Sequence, residues 1–214
     1  MEMRNTHVKR SVHIRSNRKV HKIDVVDPLS GKITFGKFFG HLRTVVAHRW
    51  WVFRYCLTAG HPIVGLLHDL SKFSPTEFLE SVRYYQGTRS PIDACKEANG
   101  VSLAWMHHKG RNPHHYEYWQ DNFDKGGTHV DIPYQYALEM LCDYLGAGRA
   151  YMGKGFSFQK EYTWWKKKRD QARAMNPHTK AFLEECLRRL NNGDDLKTVL
   201  AKESKSIYRS TRST

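Results

Sequence analysis

From Phe35 to Ala59 the apolar residues Phe38, Leu42, Val45, Val46, Trp50, Val52, Phe53 and Leu57 recur at helical spacing, and Gly60 with Pro62 ends the run. No segment of the chain offers a convincing period-two strand, so the pattern supplies helices and nothing from which to build a sheet. Helix start signals follow in series. Ile63 to Phe73 reads as a short second helix. Ser74-Pro75-Thr76-Glu77 then gives an N-cap, a proline at the first helical position and a capping-box glutamate. Ser90-Pro91-Ile92-Asp93 opens a helix that runs, with a weak point at Gly100, toward His108, and Asn112-Pro113 opens a short aromatic one. Asp121 to Asp131, with Gly126-Gly127, reads as a loop. Pro133 begins a strong helix from Tyr134 to about Tyr151, and further helices follow Phe158, Pro177 and Asp194. The expected fold class is all-α.

Residues 1–32 mix Lys and Arg with isolated valines and end in the turn-like Asp27-Pro28-Leu29-Ser30-Gly31, which marks a basic N-terminal extension. Residues 33–204 read as a single helical domain with its site core in 35–151 and accessory helices in 152–204, followed by a polar tail, 205–214. A chain of 214 residues can bury a core without disulfides. Cys56, Cys95, Cys142 and Cys186 form no CxxC pair and each sits in a helical stretch, which points to reduced thiols and a cytoplasmic protein. No apolar run reaches membrane-spanning length, and the N-terminus lacks the apolar block of a secretory signal. The net charge of +14 would concentrate phosphates, nucleotides or nucleic acid around the molecule without choosing among them. The N-terminal arm reads first as a solubilising extension, with a nucleic-acid contact as the alternative. Lys166 to Arg169 reads as a solvated face, and Tyr116, Tyr118, Trp119 and Trp164-Trp165 as packing residues.

Eight of the thirteen histidines lie between His41 and His115, a concentration that points to a metal or proton-transfer site. The adjacent pair His68-Asp69 follows the apolar Val64-Gly65-Leu66-Leu67. A buried carboxylate there is costly unless paired, and a cation bound by both neighbours would offset that cost. The first two helices are joined by a tight turn near Gly60 and should pack antiparallel, so a partner for His68 belongs about eight to twelve positions before the turn. His48 fits that window. His41, on the same face two turns away, falls behind the ligands or beside a substrate. Asp143 interrupts the otherwise apolar Glu139 to Leu145 and is the fourth candidate ligand. Gly146, Ala147 and Gly148 after it allow close backbone approach.

The order His, then His-Asp, then a distant Asp on separate helices resembles the HD-domain metal-dependent phosphohydrolases over roughly Phe35 to Tyr151. His68-Asp69-Leu70-Ser71-Lys72 is similar to the HDxGK stretch of that superfamily, with Lys72 kept and Ser71 where glycine is usual. Together with Ser74 to Phe78 and His107 to Trp119, the set also looks like an uncharacterised bacterial and phage branch of it. The resemblance implies an HD-domain-like helical bundle and a divalent cation held by His48, His68, Asp69 and Asp143. His68, Asp69 and Lys72 would then be the catalytic set. A mixed imidazole and carboxylate shell suits Mn, Fe, Co, Ni or Zn better than calcium. His41, His107, His108, His114 and His115 are candidates for a second metal or for substrate contact, and Lys72, Lys109 and Arg111 for binding phosphate. The implied reaction is hydrolysis of a phosphoester of a nucleotide or small phosphorylated metabolite. Two other readings compete: a basic nucleic-acid-binding protein with a structural metal, and a di-iron oxygenase of the HD type.

Overall fold

Thr34 caps the first helix, α1 (Phe35–Thr58), accepting from the Lys37 amide at 3.3 Å. One side of α1 buries Val45, Val52, Tyr55 and Cys56, and the same side carries His41 and His48. A left-handed Gly60 turns the chain back into α2 (Pro62–Leu67). The two helices touch almost backbone to backbone at Gly65, where an added Cβ would lie 2.7 Å from Cys56 Cβ and 2.8 Å from Phe53 Cα. The structure is a computed structural model that describes residues 31–212. Residues 1–30 of the basic extension, and with them its candidate nucleic-acid role, lie outside the described residues.

The expected single helix from Ile63 to Phe73 is instead broken at the His68-Asp69 pair. α2 stops at Leu67, Asp69 takes a left-handed conformation (φ 54°), and Leu70–Phe73 is a 3-10 turn. The cause lies in the side chain of Arg49, which donates to the carbonyls of Leu66 at 2.7 Å and His68 at 2.8 Å and so ends the helix. Aspartate is one of the few residues that tolerate the left-handed region.

Ser74 caps α3 (Pro75–Tyr84) as expected. The stretch from Ser90 to His108, expected to be one helix, is two, α4 (Pro91–Asn99) and α5 (Leu103–Lys109). Gly100 ends the first in a left-handed turn. The buried carboxylate of Glu80 fixes the start of the second by accepting from the Ser102 hydroxyl and the amides of Leu103 and Ala104. Asn112-Pro113 opens no α-helix: the Asn112 side-chain nitrogen donates to Ser71 and back to the His108 carbonyl, and only a 3-10 turn forms at Tyr116–Tyr118. The loop that follows holds a two-residue hairpin, β1 (Gln120–Asp121) with β2 (Thr128–His129), the one sheet among the described residues.

The long α6 (Tyr134–Met152) packs along α1, and α7 (Phe158–Gln171) and α8 (Pro177–Asn191) close the far side of the core. A π-helical stretch, Thr198–Glu203, leads into α9 (Ser204–Thr211). Most of the polar tail expected at 205–214 is therefore helix, with one face turned to the core. Ile207 and Tyr208 are buried, and the Tyr208 hydroxyl donates to the Ile132 carbonyl at 2.5 Å. Two apolar residues in a segment of Lys, Ser and Arg were too few to set a period.

The architecture is all-α, and all four cysteines are buried free thiols. Trp165 is fully buried, while Lys166 and Lys167 are exposed. Among the described residues no helix is long and apolar enough to cross a membrane.

At the α1/α6 contact a Cβ on Gly146 would run into the Val52 side chain and lie 3.0 Å from the Val52 amide. Gly146→Ala should push the two helices apart and lower stability by about 1–3 kcal/mol. Urea denaturation against wild type checks the loss.

Candidate metal centre

The break after α2 turns His68 and Asp69 toward α1 and α6. His48 Nε2 lies 3.2 Å from Asp69 Oδ2, 3.2 Å from Asp143 Oδ1 and 3.3 Å from His68 Nε2. His68 Nε2 lies 3.1 Å from Asp69 Oδ2 and 3.5 Å from Asp143 Oδ1. Two donors bound to one transition-metal ion at 2.0–2.2 Å sit about 2.8–3.6 Å apart at tetrahedral or octahedral angles. All these separations fall within that window, and all four residues are buried. The four residues singled out in the sequence thus meet at one point and could hold a metal ion.

A second group shares Asp69. Its other oxygen, Oδ1, lies 3.3 Å from His108 Nε2 and 3.4 Å from His114 Nε2, and His108 Nε2 is 2.9 Å from His115 Nε2. Asp69, His108, His114 and His115 form a second set able to hold an ion. Asp69 Oδ1 and His114 Nε2 are buried without a hydrogen-bond partner. Such orphaned atoms ask for a missing partner.

The far sides of these rings fix which nitrogen carries the proton. His68 Nδ1 is 2.9 Å and His114 Nδ1 3.1 Å from Glu139 Oε1, while His108 Nδ1 is 2.7 Å from Glu77 Oε2. A carboxylate accepts, so each Nδ1 is the N–H, and the neutral ring turns a bare Nε2 lone pair toward Asp69. Bare nitrogens facing carboxylate oxygens repel unless a cation stands between them. In the metal-free protein protons take that place. Burial opposes the charge on His68, but Asp69, Asp143 and Glu139 outweigh it and hold its pKa well above the usual imidazole range. Burial likewise opposes ionisation of Asp69 and Asp143, which His68 and its neighbours hold well below the usual carboxylate range. His115 is pushed well down, first by burial and then by His114 and His108, so it is a neutral donor. Glu139 also belongs to a set with His68 and His114 that could hold an ion. Its single oxygen shared between two Nδ1 atoms fits the outer, proton-accepting role better.

The Lys72 ammonium pairs with Asp69. Burial works against its charge, and Asp69 and Asp143 raise its pKa regardless. Ser71, where glycine was expected, lies 3.2 Å from His108 Nδ1 and is held by the Asn112 amide at 3.0 Å. The other sequence candidates stand apart. His107 bonds Glu77 at 2.6 Å and joins no ligand group. Arg111 is exposed and folds back toward the His107 carbonyl, and no contact brings Lys109 to the cluster. His41 is buried against Phe78 and Tyr85 with its Nδ1 unpartnered, a packed ring outside the ligand groups. Glu77 and Glu139 escaped sequence reading. Glu77 occupies a capping-box position, yet its carboxylate serves His107 and His108 while the Ser74 amide bonds the Ser71 carbonyl. The signal for Glu139 was its place one helical turn before Asp143.

Burial, then the Lys72 charge, lowers the His41 pKa to about 4 from 6.5. Unfolded chains therefore bind a proton that the native ring refuses, and this contribution to stability is lost as pH falls from about 6.5 toward 4. His41→Phe keeps a ring in the gap and removes the titration. Its stability relative to wild type should rise by about 2–3 kcal/mol between roughly pH 7 and pH 4.5. A difference in urea midpoints that stays flat across that range would contradict this account of His41.

One family model matches residues 37–189, a span that contains every residue of both ligand groups; its description is a family of unknown function, DUF5662. No curated protein and no solved structure matches the chain. The chain belongs to the DUF5662 family.

Proposed function

We propose that this protein is a metal-dependent phosphohydrolase of the HD-like kind, in which His48, His68, Asp69 and Asp143 would hold one divalent transition-metal ion and Asp69, His108, His114 and His115 a second, acting on a phosphoester of a nucleotide or small phosphorylated metabolite. The observation that carries this reading is the division of Asp69: Oδ2 faces His48 and His68, and Oδ1 faces His108 and His114. Imidazole and carboxylate ligands fit Mn, Fe, Co, Ni or Zn. Bound there, such ions supply acidification of a water and neutralisation of phosphoryl oxygens.

The chain's own residues have three tasks in this scheme. Glu139 and Glu77 keep His68, His114 and His108 in the tautomer that presents Nε2. Lys72, a quarter exposed at its side chain, places a positive charge at the open edge of the cluster, where a phosphate oxygen can meet it. Asp69 joins both groups and so couples their occupancy.

Metal analysis, with hydrolysis of a phosphoester panel, tests the reading. Wild type should bind two equivalents of metal per chain. Asp69→Asn should lose both and the activity with them, and His114→Gln should lose one. Glu139→Gln should cost about 10–100-fold in metal affinity or rate. A protein that holds two metals yet turns over no phosphoester would sink the hydrolytic proposal. It would then favour the second reading, a di-iron oxygenase, which the three imidazoles of the second group support and which a coupled-iron Mössbauer signal would identify.

A further inference from the structure

Beyond the metal centre, α1, α6 and the start of α7 enclose a cleft of about 410 Å³ lined by Trp51, Arg54, Arg149, Phe156, Ser157 and Phe158 among others. That size suits one small ligand, since ligand pockets run to about 300–1,000 Å³. Arg54 lies on α1 six residues past His48, and Arg149 on α6 six residues past Asp143. At a rise of 1.5 Å per residue the cleft is about 9 Å along both helices from the ligands.

The two arginines make no ion pair and donate no side-chain hydrogen bond among the described residues, and Arg149 Nε is buried with no acceptor. The Arg149 guanidinium carbon sits 4.9 Å from the ring centroids of both Trp51 and Phe156. Rings against the guanidinium leave its in-plane N–H edge for polar partners, the forked edge that suits a phosphate. Arg54 lies 5.8 Å from Trp51 and is exposed at the rim. Ser157 caps α7, so the positive end of a fourteen-residue helix opens on the same space. The buried acid of α7 does not cancel this charge. Burial, then the charge of Asp143, lifts the Glu161 pKa to about 8, which leaves it mostly protonated at neutral pH.

We propose that this cleft binds a small organic phosphate carrying a flat ring, of the mononucleotide class, with the phosphate on Arg54 and Arg149 and the ring against the aromatic walls. Phosphate alone would leave the apolar walls of Trp51, Phe156 and Phe158 wet, and a bare ring would leave the Arg149 Nε–H unpaired. The inference does not depend on the hydrolytic reading, because none of its residues belongs to either ligand group.

Equilibrium binding of adenosine monophosphate to the full chain in excess EDTA is the test, with adenosine and inorganic phosphate measured separately. Adenosine monophosphate should bind at least tenfold more tightly than either fragment. Arg54→Ala should weaken it at least tenfold, and being at the rim that variant should fold normally, as circular dichroism would verify. Arg149→Lys, which keeps charge but loses the fork, should weaken it as well. Asp69→Asn should bind like wild type. No binding at millimolar concentration, unchanged binding in both arginine variants, inorganic phosphate binding as tightly as the nucleotide, or loss of binding in folded Asp69→Asn would each overturn the proposal. The last result would move the ligand to the metal centre.

Discussion

A single buried carboxylate organises this molecule. Asp69 is 1% exposed, stands in a left-handed backbone conformation, and turns its two oxygens to two separate sets of imidazoles. A carboxylate at the end of an apolar helix would be expensive without compensation. Here the compensation comes from histidines of α1, α5 and the segment after it, from the residue just before it, and from Lys72. The helix break that the side chain requires is made by Arg49, which draws off the carbonyls of Leu66 and His68. Local strain at one residue is thus held in place by contacts from several elements.

Outer carboxylates then decide what the imidazoles can do. Glu139 on α6 serves both His68 and His114, and Glu77 on α3 serves both His107 and His108. Without them each ring could hold its proton on either nitrogen, and the Nε2 atoms would not be committed to the interior. Sharing one carboxylate oxygen between rings of different groups also ties the two groups mechanically. A shift of α6 moves Asp143 and Glu139 together, which is why the close α1/α6 approach at Gly146 matters beyond packing.

The sequence was most legible where geometry is local. His48, His68 and Asp69 followed from one tight turn and a helical repeat, because residues equidistant from an antiparallel turn must face each other. Asp143 stood out as an acid in an apolar run. The second group was visible only as a cluster of histidines, since their meeting depends on the irregular chain between α5 and α6, for which no period exists. Glu77 was hidden by its own plausibility as a helix cap, and side-chain partners thirty residues away cannot be read from a capping pattern. The break at His68-Asp69 was missed for a related reason: the residue that ends the helix is Arg49, distant in sequence. Likewise α9 carries only Ile207 and Tyr208 inward, too little apolar signal to reveal a core helix until α6 and α8 are there to receive it.

The charge distribution links the interior to the surface. Asp69, Asp143, Glu77 and Glu139 surround the imidazoles with one ammonium, Lys72, among them, leaving a surplus of three negative charges when the imidazoles are neutral. The whole chain carries +14. An anionic well inside a cationic protein suits divalent ions in the interior, while the surrounding field favours anions arriving from solution. Two divalent ions would more than cancel the interior surplus and leave the pocket slightly positive. With the ions removed, the same site can balance itself only by protonating His68, His108 and His114, each of which has its pKa raised by the carboxylates around it despite burial. Metal and proton therefore compete for the same lone pairs, and metal affinity must fall as the solution is acidified.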